Sequence, residues 1–412
     1  MTTIVIIFCI VYLGMMLGRF PFLKVNRAAI ALIGAVALLS GHLISPNTAL
    51  SSVDFETLAL LFGLMLISVQ FDLCGLYTEI SAWVGKLKVS PVVFLALITA
   101  MAGGLSAFLT NDVVAVAVTP VVLGICVAKK LNPIPFLLGV AFATNSGAIA
   151  TFVGSPQNML IAQKLNLGFI SFFIYTGVPA ILSLAVGWVC LSFFYRKSWE
   201  LKLSATSDNS SMMILSVPFV SSEAVKGLVI IVLVIGLFMF SNHDRGMVAI
   251  TAGAFLLMNA HFKSQEMLEK VDWNLLILFF GLFVVNAAMN STGIPKDIVD
   301  SLKNHGFDLQ NPSVLFVVTA ILSDMVSNVP SVMLLLPYAS DPVSGPLMAI
   351  ASGLSSNLIV IGSLANIIVV DAAASKGLKI SFWEFAKSGI PVSIISMIIG
   401  AGWVYFIDTV IR

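Results

Sequence analysis

Apolar residues run along this chain in long stretches, at about 2–20, 26–44, 54–74, 135–164, 169–194, 224–241, 246–262, 272–290, 346–374 and 388–408, parted by short polar connections. Nearly all are long enough for a helix rising ~1.5 Å per residue to cross a hydrocarbon core about 30 Å thick. None has the alternating pattern of a barrel strand. The pattern predicts an all-α polytopic membrane protein with ten crossings. Two further apolar stretches, 91–127 and 313–338, are interrupted near the middle by Thr110-Asn111-Asp112 and by Ser327-Asn328. Each is read as a re-entrant hairpin that dips into the membrane and returns.

The distribution of positive charge favours this count. With ten crossings, two hairpins and the N-terminus outside, sixteen of the 21 Lys and Arg residues fall on the cytoplasmic side. Only Lys164, Arg245, Lys296, Lys303 and Arg412 remain outside, as the positive-inside rule requires. The first run, 2–20, lacks the basic leader and small-residue cleavage site of a signal peptide, so it is expected to be retained as a span.

The chain also repeats itself. A shift of 218 positions lays Arg27 on Arg245, Asp54 on Asp272, Gly63 on Gly281 and Gly75 on Gly293. The register then slips, and Ser106, Asn111 and Pro120 match Ser323, Asn328 and Pro337 with identical spacing, as Gly154, Ser155 and Asn158 match Gly362, Ser363 and Asn366. Residues 1–195 and 224–412 are therefore two repeats of five spans plus one hairpin, joined by a cytoplasmic linker at 196–223. An odd number of crossings makes the second repeat inverted.

Composition narrows the class further. Fifty-nine per cent of residues are hydrophobic and 10% are charged, which excludes a water-soluble domain. A net charge of +1 offers nothing to nucleic acid. Cys9, Cys74, Cys126 and Cys190 stand in or beside separate apolar runs without a Cys-x-x-Cys pair, so they are read as packing residues.

Polar residues in mid-membrane are costly, so their positions mark function. They gather in four places: Thr110, Asn111 and Asp112 at one hairpin tip; Ser327 and Asn328 at the other; Gly154, Ser155, Gln157 and Asn158, preceded by Asn145, in the crossing at 135–164; and Asn357, Gly362, Ser363 and Asn366 in the crossing at 346–374. Each resembles the start of a half-helix. Ser155 followed by Pro156 has the form of an N-cap with proline in the first turn, while the break at 362–366 has no proline. Four converging N-termini would offer unpaired N–H groups and positive dipole ends to an anion or a polarised oxyacid. Broken helices at matching places in two inverted halves are the usual pointer to a transporter site.

Asp112 has no counterpart in the repeat, where Val329 stands, and no Lys or Arg shares its apolar stretch. It is expected to carry a proton or to hold a cation. Asp324, four residues before Asn328, is a second ion-coupling candidate, whereas Asp72 and Asp371 near span ends are read as structural. The four histidines lie at span ends or in loops, which argues against a histidine relay.

At these residues the chain resembles the ion transporter superfamily, in its branch of arsenite permeases and NhaD-type antiporters, which includes citrate-transporter-like anion permeases. The resemblance rests on Thr-Asn-Asp at 110–112, Gly-Ser-Pro-Gln-Asn at 154–158, Ser-Asn-Val-Pro at 327–330 and Ile-Gly-Ser-Leu-Ala-Asn at 361–366. It covers nearly the whole chain. It implies a scaffold, a moving transport domain that carries the hairpins, a homodimer and elevator-like alternating access. Dicarboxylate relatives carry Ser-Asn-Thr at both tips, and this sequence departs from them at both, having Thr110-Asn111-Asp112 and Ser327-Asn328-Val329.

The functional expectation is a secondary transporter of the inner membrane. It moves a small anion or oxyacid of the arsenite kind, coupled to H+ or Na+, in a site without Lys or Arg. Sodium/proton antiport and citrate or dicarboxylate uptake are the alternatives. A membrane enzyme is not expected, since the chain has no His-Glu-x-x-His, no Gly-x-Ser-x-Gly and no paired cysteine ligands. No cofactor is expected beyond the coupling ion.

Overall fold

The computed structural model describes residues 1–17, 25–200, 218–241 and 243–411. Residues 204–211 of the expected linker, and with them Arg19, Lys24, Lys202 and Arg412, lie outside the described residues. The described chain is helical throughout, with no β-strand. Its first ten helices are α1 (Thr2–Leu17), α2 (Arg27–Ser40), α3 (Pro46–Ser52), α4 (Phe55–Leu73), α5 (Leu76–Lys86), α6 (Pro91–Phe108), α7 (Asn111–Ala128), α8 (Pro133–Ala148), α9 (Pro156–Lys164) and α10 (Phe169–Phe194). Ten more follow: α11 (Ser221–Phe240), α12 (Arg245–Leu257), α13 (Ser264–Glu269), α14 (Trp273–Asn290), α15 (Ile294–Asn304), α16 (Pro312–Val326), α17 (Asn328–Leu335), α18 (Ser344–Ser355), α19 (Leu364–Ser375) and α20 (Phe382–Ile411). Element for element, the second ten follow the order of the first.

Local chemistry sets these boundaries. Ser45-Pro46, Ser90-Pro91, Asn132-Pro133 and Asn311-Pro312 each start a helix, the polar side chain accepting a backbone N–H while proline fills the first turn. Asp54 and Asp272 cap α4 and α14 at matching positions, accepting from the amides of Thr57 and Leu275. Gly75 and Gly293 link α4 to α5 and α14 to α15 with φ of 74° and 76°, a left-handed turn that suits glycine.

Seven helices among the described residues are long and apolar enough to cross a membrane: α4, α6, α7, α10, α11, α14 and α20. The protein is thus a multi-pass membrane protein. Apolar side chains such as Val232 and Phe240 on α11 and Ile398 and Phe406 on α20 remain exposed, as a lipid-facing surface requires. The stretch 91–127, expected as a re-entrant hairpin, forms two antiparallel helices, α6 and α7, each long and apolar enough to cross a membrane. Lys129, just beyond α7, donates to the Leu87 carbonyl and lies 4.9 Å above the ring of Phe94 near the start of α6, so both ends of the hairpin meet on one side. In the second hairpin the returning helix α17 has only eight residues, and Pro337 falls in the 3-10 turn Leu336–Tyr338, whereas Pro120 stands inside the longer α7.

The helices pack reciprocally across the repeat: α4 lies on α12, and α2 on α14. Glycine permits both contacts. A Cβ added at Gly63 would stand 2.2 Å from the Ala249 carbonyl, and one added at Gly281 would stand 2.6 Å from the carbonyl carbon of Ala31. Small residues let membrane helices approach closely, which is where their packing energy arises. Gly63→Ala is therefore expected to force α4 from α12 at a cost of about 1–3 kcal/mol. A lowered midpoint of thermal unfolding in detergent is the check, and an unchanged midpoint would show that the two backbones are not this close. At the centre stand α8, buried at every residue but Ile134, and α18, buried throughout.

Candidate functional site

Each central helix leads into a break of the same build. After α8 come a 3-10 turn at Phe152–Gly154, the extended Ser155 and then α9; after α18 come a 3-10 turn at Val360–Gly362, the extended Ser363 and then α19. The two breaks are stabilised differently. Pro156 occupies the first turn of α9 and Ser155 makes no side-chain cap, whereas Leu364 replaces proline and the Ser363 hydroxyl accepts from the Ala365 amide at 3.2 Å. A serine cap thus stands in for the missing proline. Asn158 then ties the first break by donating to Ala148 O at 3.0 Å and Thr151 O at 3.5 Å. Asn366 does the same in the second, donating to Ser356 O at 2.6 Å and Ile359 O at 3.3 Å. Gly154 and Gly362 leave no room for a side chain, the nearest atoms being Ser106 O at 2.4 Å and an Asp324 carboxylate oxygen at 2.6 Å from an added Cβ.

Asn145 joins the halves. From α8 it donates to the side-chain oxygens of Asn357 and Asn366, both at 2.9 Å, and accepts from Ser363 at 2.9 Å and from Asn111 at 3.3 Å. One amide therefore holds the first hairpin tip, the end of α18 and the start of α19. The tips have other anchors. The amide and hydroxyl of Thr110 both reach Ser68 Oγ on α4 at 3.2 Å, while Asn328 donates to and accepts from Ser356 at 2.9 and 3.1 Å. Ser327 holds φ 83° and ψ 158°, a region nearly confined to glycine that costs about 1–3 kcal/mol. The hydrogen bond between Ser323 and Ser331, 2.7 Å, clamps the hairpin on either side of it.

The N-termini of α7, α9, α17 and α19 open on one cavity of about 630 Å³. Asn111, Asp112, Gln157, Ser327, Asn328 and Ser363 line it, whereas Asn145, Asn158, Asn357 and Asn366 form the buried layer behind. Thr110 and Asp112 also line a smaller cavity of about 260 Å³ that extends to Asp72 and Lys270.

The charge around Asp112 differs from the expectation. Arg27 lines the larger cavity and Lys270 the smaller, while Asp272 lines both beside Asp112. These residues come from the start of α2 and the junction of α13 with α14, far in sequence from Asp112. The site is therefore not free of basic residues. Arg27 donates through Nε to Met15 O at 3.1 Å, and Lys270 pairs with Asp72. The Asp112 carboxylate is half-buried and faces the amide of Ala365 at the start of α19. Asp324 is not on the lining of either cavity. It lies against Gly362, and one of its oxygens is buried without a hydrogen bond. Asp371 is exposed.

Several buried oxygens of the first half also lack a partner: Ser106 Oγ, Asn111 Oδ1, Ser155 Oγ and Asn158 Oδ1, all at the first tip or break. A buried acceptor without a donor is costly unless something else meets it. Ser68, Arg27, Lys270 and Asp272 are the members of the site that pattern reading passes over.

Helix α4 runs about 27 Å from Asp54 to Asp72, and near Asp54 the end of α9 is held by three contacts. Lys164 pairs with Asp54 at 2.7 Å, Gln163 donates to Glu56 at 2.6 Å, and Arg245 donates to Ala162 O at 3.1 Å. Burial pushes the Asp54 carboxyl up, but Lys164 and the Thr57 amide more than offset this and hold it below its ordinary value. The pair is thus ionised at neutral pH, and its stabilisation is lost only as pH falls through that lowered value.

The citrate transporter family profile matches residues 5–347. Among similar chains, a 46 kDa membrane protein of Mycobacterium leprae is 26% identical over 91% of this chain and 92% of its own length. The silicon efflux transporter LSI3 of Oryza sativa is 28% identical over 92% of each, and a putative transporter arsB of Dictyostelium discoideum is 23% identical over 92% of this chain and 87% of its own. The solved structure of MtrF of Neisseria gonorrhoeae, described as one of a class of antimetabolite efflux pumps, superposes with a TM-score of 0.56 at 12% identity. That superposition covers 98% of this chain and 94% of MtrF, and it supports the fold.

Proposed function

Because this chain belongs to the citrate transporter family of membrane transporters, we propose that it is a secondary active transporter of the inner membrane for a small inorganic anion or oxyacid of the arsenite kind, coupled to H+ or Na+. The observation that carries this reading is the single cavity onto which four helix N-termini open. Amide donors and dipole ends suit an oxygen-rich solute, and the guanidinium of Arg27 on the same lining adds preference for one with negative charge. The relative named for silicon efflux supports an inorganic solute over a dicarboxylate. Asp112, at the meeting of the two cavities, carries the coupling ion in this reading.

The two repeats cross the membrane in opposite senses. The start of α2 is then cytoplasmic and the cavity faces the cytoplasm. Helices α2, α4, α12 and α14 form the fixed scaffold of an elevator, and the hairpins with α8, α9, α18 and α19 form its moving part, in a homodimer.

Sodium/proton antiport is the second reading. It is favoured by the adjoining carboxylates of Asp112 and Asp272 and by the unpaired oxygens at the first break, which suit a hard cation better than an anion.

Purified protein in vesicles, offered arsenite, antimonite, phosphate, sulfate, citrate and succinate under imposed pH and sodium gradients, separates the readings. Gradient-driven accumulation of an inorganic oxyacid is expected. Sodium/proton exchange with no solute flux would replace this reading with antiport, and flux of citrate or succinate alone would replace it with carboxylate uptake.

A further inference from the structure

The two ends of the site are not in the same state, and the repeat states what the open end lacks. The α9–α19 correspondence that sets Ser155 on Ser363 sets Ala162 on Val370, Gln163 on Asp371 and Lys164 on Ala372. The α4–α14 correspondence sets Asp54 on Asp272 and Glu56 on Asn274, and Arg245 answers to Arg27. At the Asp54 end the first member of each set is in contact: Arg245 with Ala162 O, Gln163 with Glu56, Lys164 with Asp54. At the other end Arg27, Asp272 and Asn274 line the large cavity instead, and among the described residues no hydrogen bond or ion pair joins them to the end of α19.

The exchange of residue types across the repeat keeps one contact possible in reversed form. In the bonded pair an amide on α9, Gln163, donates to a carboxylate at the start of α4, Glu56. In the open pair the carboxylate is on α19, Asp371, and the amide is at the start of α14, Asn274. Two carboxylates or two like donors at these places would have excluded the contact, but donor and acceptor have changed sides together. Asp371 is exposed with no hydrogen bond among the described residues, and the Asn274 side-chain N–H groups are likewise unused, its oxygen alone accepting from Asn26 at 3.1 Å. Arg27 uses only Nε, for Met15 O, and its two terminal nitrogens bond no other described residue.

We propose that Asn274 and Asp371 are positioning residues of transport, which close the large cavity by docking the C-terminal half of α19 on the starts of α2 and α14. In that state Asn274 donates to the Asp371 carboxylate and Arg27 donates to the Val370 carbonyl, as Gln163, Glu56 and Arg245 hold α9 at the opposite end. Arg27 thereby exchanges a place on the cavity lining for a backbone partner. The ion pair of Lys164 has no counterpart, because Ala372 stands in its place, so this end closes with one fewer contact and the arrangement seen here is the more firmly held.

The inference rests on the transport reading, but its test needs no known solute. Asn274→Cys with Asp371→Cys, and separately Glu56→Cys with Gln163→Cys, are made in the full chain and oxidised in membranes with copper-phenanthroline, with single-cysteine variants accounting for the native thiols. Cross-linked peptides are read by mass spectrometry under pH and sodium gradients of both directions. Adducts are expected for both pairs, each gaining as the other falls when the gradient is reversed. An adduct at 56–163 with none at 274–371 under any gradient overturns the proposal, whatever the vesicle assay reports on solutes.

Discussion

Asn145→Ala is expected to abolish transport while leaving a folded protein in the membrane. The side chain makes four hydrogen bonds, to Asn357, Asn366, Ser363 and Asn111, and no other described residue bonds to so many parts of the site. Interhelical hydrogen bonds in membranes are worth about 0.6 kcal/mol on average, so losing four costs on the order of 2–3 kcal/mol. That is enough to lower the melting point by several degrees, and too little to unfold a protein whose α8 is buried along nearly its whole length. Function fails for a different reason. Without the amide, Asn111 and Ser363 lose their common partner, and the N-termini of α7 and α19 are no longer fixed around one cavity. The measurement is solute flux in vesicles beside thermal unfolding of the same preparation. Normal flux with a lowered melting point would show that Asn145 only braces the helices.

How much of this was legible follows from what each feature needs in order to be seen. The breaks announce themselves, because Gly154-Ser155-Pro156 and Gly362-Ser363 interrupt apolar runs with residues that end one helix and start another. The tips announce themselves for the same reason. Their convergence depends on packing between segments more than 200 residues apart, such as Asn145 with Asn357, and on the repeat that sets the halves against each other. Arg27, Lys270 and Asp272 escaped because each stands at the mouth of its own span, where a charge is ordinary. Only the fold brings all three to Asp112.

The short helices escaped for another reason. α3, α5, α13 and α15 are too short or too polar to register as spans, and α5 and α15 carry apolar and charged residues on opposite faces, a pattern hidden when only continuous apolar runs are counted. A polar cluster beside them was equally hidden. Glu223, at the start of α11, accepts from Gln70 at 2.9 Å and Asn259 at 2.8 Å and meets His261 at 2.9 Å, so that a carboxylate read as part of the linker is buried against α4. Each of its partners is an unremarkable span-end residue until the fold assembles them.

Asp112→Asn is expected to separate coupling from binding. Asp112 is the second residue of α7, faces the Ala365 amide, and stands where the two cavities meet beside Asp272. The carboxylate is half-buried on the lining of both cavities, and the N-terminus of α7 favours a negative charge there by about 0.3–1 kcal/mol. Asparagine keeps the size and the acceptor toward Ala365, removes a negative charge next to Asp272, and can neither bind a proton nor pair with a sodium ion. Stability should therefore hold or rise, and solute binding should change little. Gradient-driven accumulation should fall by about tenfold or more, since one lost ionic contact of ~1.4 kcal/mol already accounts for tenfold in an equilibrium. Ion flux and solute flux measured together in vesicles, with Asp324→Asn in parallel, decide the matter. An unchanged ion-to-solute ratio in Asp112→Asn would leave this carboxylate as a cap on α7. Loss of coupling in Asp324→Asn instead would move the ion to the carboxylate that lies against Gly362.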